Sequence, residues 1–165
     1  MVLMRKFSPI EMLDTLAKTR ATAFSGVPTV YAILNATPGT EKFNLSHLRF
    51  CICGAAPMPV EVFREFERKF KVTVMEGYGL SEGTCASSVN PLDRRKVGSV
   101  GLPVAGQEMK LVDGEIVVRG PNVMKGYWNL PEETANVLKG GWFHTGDIGM
   151  VDEEGYFYIT DRKKD

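Results

Sequence analysis

Helix and strand signals alternate along the chain up to about residue 90. Ser8-Pro9-Ile10-Glu11 is a capping box with proline at the first helical position, which predicts a helix. A second helix is predicted from the turn at 25–28 to about Leu34, and a third after Pro59, where apolar residues recur at three- and four-residue steps. Runs of β-forming residues at 19–24, 48–53 and 72–75 separate the helical segments. This alternation favours stacked βα units with a parallel sheet over a helical bundle or a β-sandwich.

Short β-rich runs separated by glycines replace the helical periodicity after about residue 90. Residues 109–112 and 115–118 are joined by Asp113-Gly114, a dipeptide preferred in the type I′ turn of a hairpin. A second hairpin is predicted within 148–160, and a short helix begins at Pro131. We therefore expect an α/β fold in which a small, barrel-like, β-rich subdomain follows the stacked βα units. The predicted domains are 1–90 and 91–160, with 161–165 as the start of a hinge.

Composition and charge exclude several classes of protein. The chain has 20 Lys and Arg against 20 Asp and Glu, so no excess positive charge would attract a nucleic-acid backbone. No apolar run approaches the roughly 20 residues that span a bilayer, and residues 1–6 lack the apolar region of a signal peptide. We therefore expect a cytoplasmic protein without a transmembrane segment. The cysteines at 51, 53 and 85 lack metal-ligand spacing and are interpreted as structural thiols.

Two loops of small residues follow predicted strands, at the sheet edge where α/β proteins bind ligands. Gly54-Ala55-Ala56 would let backbone amides approach a flat ring or a phosphate, although the same residues also suit a tight turn. In the run 77–82, Tyr78 can stack on a base, Ser81 can donate to a phosphate and Glu82 can hold Mg²⁺. The alternative for this run is a glycine-rich loop with a solvated glutamate.

A lone carboxylate and a charge cluster lie near the end of the sequence. Asp147 follows a glycine turn, and a carboxylate can accept hydrogen bonds from the two hydroxyls of a ribose. Taken alone, an Asx-turn explains Asp147, and a frayed polar tail explains 161–165. His47 and His144 are too isolated along the sequence to indicate a catalytic dyad or a metal site, and we interpret both as structural or exposed.

Six short motifs follow one another along the chain: 54–57, 77–82, 98–103, 114–120, 144–147 and 161–165. Together they resemble the ordered motifs of the AMP-forming acyl-CoA synthetases. That family belongs to the adenylate-forming superfamily, which also contains luciferases and the adenylation domains of peptide synthetases. The resemblance covers essentially the whole chain. The segments 27–31 and 120–128 look most like the branch of fatty-acyl and related carboxylate–CoA ligases.

The resemblance implies a two-step reaction and a role for each matching residue. A carboxylate would attack the α-phosphate of MgATP to give an acyl-adenylate and pyrophosphate, and the CoA thiol would then displace AMP. Ser81 would contact the α-phosphate and Glu82 would hold Mg²⁺. Asp147, helped by Arg162, would bind the ribose hydroxyls, and Lys164 would lie at the hinge to a C-terminal domain. The adenosine pocket would include Gly54, Ala55, Ala56, Gly77, Tyr78 and Gly79.

Two elements of the family fall outside the matched motifs. Its phosphate-binding loop is expected well upstream of Gly54, and its catalytic lysine well beyond Lys164. We therefore expect an internal fragment of the family's large N-terminal domain, inactive in isolation. The alternatives are a non-catalytic nucleotide-binding or interaction module, and an adenylate-only, luciferase-like relative. The expected partners are a fatty or other carboxylic acid, ATP and CoA. The residues specify neither the acid nor the oligomeric state.

Overall fold

The structure is a computed structural model that describes residues 1–163 and consists of two compact units, Met1–Met75 and Glu76–Asp165. Lys164, the predicted hinge residue, and Asp165 lie outside the described residues. The predicted domain boundary near residue 90 stays a prediction. In the structure the division falls earlier, because the segment after Met75 pairs with strands of the second unit.

The first unit contains three helices and two complete strands, and a third strand begins in it. They are α1 (Pro9–Lys18), β1 (Ala23–Gly26), α2 (Pro28–Ala36), β2 (Phe50–Cys53), α3 (Val60–Phe70) and β3 (Thr73–Tyr78), with a short 3₁₀ turn at Thr40–Lys42. Strands β1 and β2 pair in parallel, from Ala23 opposite Phe50 to Gly26 opposite Cys53. The predicted α/β fold with parallel strands is thereby confirmed.

Aromatic and aliphatic side chains fill the core of the first unit. Tyr31 is fully buried, its ring meets the edge of Phe66 at 4.8 Å between centroids, and its hydroxyl donates to the Ile52 carbonyl at 2.7 Å. Lys69 of α3 donates to the carbonyl oxygens of Leu34, Asn35 and Thr37 at 3.1, 2.6 and 2.9 Å. A cation at this end of α2 satisfies carbonyls that the helix itself leaves unpaired. Helix α3 thus fixes α2 through both packing and charge.

Two local predictions in this unit needed correction. Ser8 is the N-cap of α1, yet among the described residues its side chain makes no capping hydrogen bond, so the capping box is not formed. The strand predicted at 19–24 begins only at Ala23, because Thr19 caps the helix and Arg20 adopts a left-handed conformation. Both errors concern the ends of elements, where tertiary packing overrides local sequence preference.

The second unit is built mainly from antiparallel strands. They are β4 (Ser88–Val89), β5 (Leu102–Pro103), β6 (Glu108–Val112), β7 (Glu115–Arg119), β8 (Leu138–Lys139), β9 (Trp142–Val151) and β10 (Phe157–Arg162), with α4 at Pro131–Val137 and a 3₁₀ turn at Ser81–Gly83. One antiparallel sheet has the order β10-β9-β7-β6, with β8 paired to β9, and it curls into a half-barrel as predicted. The end of β3 pairs with β4, and β4 pairs with β5.

The Asp-Gly hairpin is confirmed in its turn and its register. Asp113 and Gly114 have φ values of 51° and 80°, the two positive angles that a type I′ turn requires. Strands β6 and β7 pair from Val112 opposite Glu115 to Glu108 opposite Arg119. On β7, Ile116, Val117 and Val118 are all fully buried, and Phe143 and Phe157 join Ile116 and Val118 in the core of this unit. Because β7 pairs with β6 on one side and with β9 on the other, it lies in the interior of the sheet.

Candidate functional site

Tyr78 and Asp147 are 69 residues apart in the sequence and meet in the second unit. Tyr78 ends β3 and is 8% exposed, and its hydroxyl donates to Asp147 Oδ2 at 2.6 Å. Burial raises the pKa of Tyr78, and the hydrogen bond to the Asp147 carboxylate raises it further. The phenol therefore stays protonated at neutral pH and acts as a donor. The predicted base-stacking residue and the predicted ribose ligand are thus direct neighbours.

Strand β9 carries Asp147 opposite Arg162 of β10. Arg162 Nε lies 3.8 Å from Asp147 Oδ1, and the arginine side chain is largely exposed whereas the aspartate is not. The Asp147 amide donates to Thr145 Oγ1 at 3.1 Å, and Thr145 Oγ1 donates to the Ile116 carbonyl at 2.7 Å. The carboxylate is thus held beside a tyrosine hydroxyl and an arginine rather than closing an Asx-turn on its own backbone.

Glu115 is a polar residue of this region that the sequence reasoning missed. Its side chain is 7% exposed, its Oε2 lies 2.8 Å from His144 Nδ1 and 3.0 Å from Lys163 Nζ, and its Oε1 accepts the Gly146 amide at 2.8 Å. Burial raises the pKa of Glu115, but these three hydrogen bonds together hold it below its usual value. The available signal was an acidic residue directly before the apolar run Ile116 to Val118.

Ser81 and Glu82 begin the 3₁₀ turn that follows β3 after two intervening residues. Ser81 is exposed, whereas Glu82 is partly buried and its Oε1 accepts a hydrogen bond from the Tyr127 hydroxyl at 2.8 Å. Gly79 gives this loop room, because a Cβ there would lie 1.4 Å from the Cys85 carbonyl oxygen. The glycine is therefore required by close backbone approach rather than by flexibility.

The remaining predicted nucleotide-binding residues are glycines and alanines near strand ends. In the first unit, Gly54 follows β2, and Ala55 and Ala56 are exposed, with Ala55 left-handed at φ 70°. In the second unit, Gly77 pairs with Val89 of β4, and a Cβ on it would lie 3.2 Å from the Ser88 carbonyl oxygen. Gly54, Ala55 and Ala56 lie in the loop that the sequence predicted at the end of a strand. Gly77 instead lies within β3, because the strand predicted to end at Met75 continues to Tyr78 and pairs with β4. Their roles in nucleotide binding stay predictions.

Glu82 alone among these residues is predicted to bind a metal ion. Across residues 1–163, no group of three or more His, Cys, Asp or Glu side chains is arranged to hold a metal. A single partly buried carboxylate with one oxygen already hydrogen-bonded still fits Mg²⁺, which proteins commonly hold through one or two carboxylates and substrate phosphates. Within the same residues, no helix is long and apolar enough to cross a membrane.

Comparison with known proteins identifies relatives along the whole chain. The family model described as AMP-binding enzyme matches residues 1–128. The chain is 44% identical to a long-chain-fatty-acid–CoA ligase of Bacillus subtilis strain 168, an alignment that covers 100% of this chain and 32% of that protein. It is 40% identical to a feruloyl-CoA synthase of Amycolatopsis sp, over 99% of this chain and 36% of that protein. The chain therefore spans about a third of the length of these curated relatives.

Solved structures give the same result. The ATP-bound MatB from Rhodopseudomonas palustris matches with a TM-score of 0.89 and 37% identity, over 98% of this chain and 34% of that one. An anthranilate CoA ligase, AuaEII, in complex with anthranoyl-AMP matches with a TM-score of 0.88 and 28% identity, over 93% of this chain and 32% of that one. This chain belongs to the family of AMP-binding enzymes, and its relatives are long-chain-fatty-acid–CoA ligases and other acyl-CoA synthetases.

Proposed function

We propose that this chain carries the adenosine-binding part of an AMP-forming acyl-CoA ligase. The complete reaction joins a carboxylic acid to CoA through an acyl-adenylate and releases pyrophosphate and AMP. The names of the long-chain-fatty-acid–CoA ligases among its relatives favour a fatty acid as the substrate. We keep the cytoplasm as the proposed location, because the reaction consumes ATP and CoA.

The contact between Tyr78 and Asp147 is the observation that carries this proposal. The Asp147 carboxylate is a suitable acceptor for the two ribose hydroxyls, and the neighbouring Arg162 side chain is exposed and can close over the ligand. Tyr78 packs in the core of this unit with only 8% of its surface exposed, so its proposed contribution is the hydroxyl that holds the Asp147 carboxylate. Stacking of its ring on the base stays a prediction from the sequence. Gly77 and Gly79, which flank Tyr78 in the second unit, are proposed to border the adenosine. Nucleotide-binding roles for Gly54, Ala55 and Ala56 of the first unit stay predictions from the resemblance.

Ser81 and Glu82 are proposed to act on the phosphates. The exposed Ser81 hydroxyl would donate to the α-phosphate, where negative charge builds up during attack by the carboxylate. Glu82 would hold Mg²⁺, which when bound neutralises phosphate charge. Because Glu82 is a single carboxylate, we expect it to bind the cation together with the nucleotide rather than alone.

We expect Asp147→Ala to weaken AMP binding by at least about tenfold, since a hydrogen bond to a charged group contributes roughly 1.5–3 kcal/mol. Isothermal titration calorimetry of the purified chain with AMP measures the dissociation constant directly. Asp113→Asn is the matched control. It also removes a carboxylate from the second unit, but at a hairpin turn where asparagine tolerates the left-handed conformation. Equal AMP affinity in the native chain and Asp147→Ala would remove the support for the adenosine site.

We further expect the 165-residue chain by itself to show no ATP–pyrophosphate exchange with a panel of fatty acids. The resemblance places the phosphate-binding loop and the catalytic lysine outside this segment, so substrate positioning and phosphate charge stabilisation are both incomplete. The full-length Bacillus subtilis relative serves as the positive control under the same conditions. Robust exchange by the purified chain would show that these elements are dispensable or supplied within it.

A further inference from the structure

The segment 120–127 holds the turn that carries Ser81 and Glu82. The Met124 amide donates to the Glu82 carbonyl at 2.7 Å, and the Tyr127 hydroxyl donates to the Glu82 carboxylate at 2.8 Å. The Asn122 side chain donates through Nδ2 to the Gly83 carbonyl, and the backbone carbonyl of Asn122 accepts a hydrogen bond from the Thr84 hydroxyl at 2.6 Å. Both backbone and side chain of Glu82 are therefore bonded to a single segment about 40 positions further along the chain.

The turn held in this way is conformationally strained. Thr84 and Cys85 follow it with φ values of 51° and 82°, in the left-handed region that non-glycine residues rarely adopt. Such residues persist only where surrounding contacts determine their conformation, and they concentrate at sites of function. Here the hydrogen bonds that Asn122 forms with Gly83 and Thr84 hold the backbone in this conformation. The contact between the Tyr127 hydroxyl and the Glu82 carboxylate joins two side chains, so the backbone conformation of the turn does not account for it.

Tyr127 is itself fixed by α4. Its amide donates to Thr134 Oγ1 at 2.9 Å, and Thr134 Oγ1 in turn donates to the Leu130 carbonyl at 2.7 Å. Gly126 allows this approach, because a Cβ there would lie 2.8 Å from Thr134 Cγ2. Partial burial, and then the contact with Glu82, raise the pKa of Tyr127, so its hydroxyl keeps its proton at neutral pH. The donor is thus anchored independently of the carboxylate that it contacts.

We propose that Tyr127 is a positioning residue that orients the Glu82 carboxylate for a divalent cation bound with the nucleotide. Tyr127 occupies Oε1, whereas Oε2 accepts no hydrogen bond from any residue between 1 and 163 and is left for the cation. The inference rests on the proposed function, in which Glu82 is the metal ligand. Outer partners of metal-binding carboxylates orient them, and their loss lowers metal affinity by about ten- to a hundredfold.

Binding of Mn²⁺·ATP, a stand-in for MgATP, tests this role in the purified chain. Water proton relaxation changes when Mn²⁺·ATP binds the protein, and calorimetry with AMP in EDTA reports metal-free binding. Tyr127→Phe is expected to weaken Mn²⁺·ATP binding by about tenfold and to leave AMP affinity and the thermal midpoint unchanged. Tyr158→Phe is the matched control, because it too removes a hydroxyl that donates to a carboxylate, that of Asp152 at 3.2 Å. It should change neither affinity.

A double-mutant cycle separates action through Glu82 from a general structural role. In the Glu82→Gln background, Tyr127→Phe should cause no further loss of Mn²⁺·ATP affinity. An undiminished loss in that background, equal Mn²⁺·ATP affinities of the native chain and Tyr127→Phe, or an equal loss of AMP affinity would each overturn the positioning role. If the native chain binds neither AMP nor Mn²⁺·ATP, the proposed function fails and the role of Tyr127 fails with it.

Discussion

Replacing Gly79 by alanine is expected to destabilise the second unit by about 3 kcal/mol and to abolish AMP binding. The added Cβ would lie 1.4 Å from the Cys85 carbonyl oxygen and 2.9 Å from the Ala86 Cα. Both are backbone atoms, so no side-chain rotation relieves the overlap. The loop must instead open between Gly79 and Cys85.

Opening this loop breaks the hydrogen bonds that close it. The Ser87 amide donates to the Tyr78 carbonyl at 2.8 Å, and the Cys85 amide donates to the Leu80 carbonyl at 3.2 Å. Tyr78 is directly attached to the displaced segment, and its hydroxyl holds Asp147. We therefore expect the loss of AMP binding to accompany the loss of stability, rather than to arise from a missing ligand contact at Gly79.

Urea denaturation and AMP calorimetry measure the two effects of Gly79→Ala. Gly106→Ala is the control for backbone conformation alone. Gly106 has a φ of 85° and nothing within 4 Å of an added Cβ, so its replacement should cost only about 1–2 kcal/mol of left-handed strain and leave AMP binding intact. A Gly79→Ala chain with native stability would contradict the close backbone approach.

Local patterns in the sequence were sufficient to predict most of the elements. The recurrence of Phe63 and Phe66 placed the buried face of α3, and Asp113-Gly114 set both the turn and the register of its hairpin. These predictions succeeded because each depends on residues within a few positions of one another. Helix ends were less predictable. The favourable Ser8 and Glu11 pair formed no capping bond, since local propensity competes with packing.

The candidate site was only partly predictable, because its contacts join distant residues. His144 is isolated in the sequence, yet its ring meets Glu115, which lies 29 positions away. Tyr127 lies 45 positions from Glu82, and neither position indicates the other. Motif resemblance predicted roles for Tyr78, Asp147 and Glu82, but it did not indicate which side chains contact them. Those side chains follow from strand register and loop packing, which depend on the whole fold.

Replacing Glu115 by alanine is the second large effect that we expect. The substitution leaves the His144 ring, the Lys163 ammonium and the Gly146 amide without their shared acceptor. Removing one partner of a buried charged cluster typically costs about 3–5 kcal/mol, and we expect a loss near the lower limit because Lys163 is half exposed. Urea denaturation measures this loss. AMP affinity should fall as well, because Gly146 directly precedes Asp147.

Acid titration distinguishes the lost carboxylate from a loss of packing. The pKa of Glu115 in the folded chain lies below its usual value of 4.5, so its contribution is complete above that pH and is lost as the pH falls through the lower folded value. The difference in unfolding free energy between the native chain and Glu115→Ala should therefore shrink below about pH 4.5.

An exposed glutamate of the same sheet provides the control. Glu108 also contacts a cation, with its Oε2 2.6 Å from Arg119 Nη2, but both of these side chains are exposed. Glu108→Ala should shift the urea midpoint little, because water solvates both partners once they separate. If Glu115→Ala and Glu108→Ala behaved alike, the Glu115 cluster would be an ordinary surface network. If only Glu115→Ala strongly lowers the free energy of unfolding, burial of the Glu115 carboxylate accounts for the difference. Glu115 would then stabilise β9, the strand that carries Asp147.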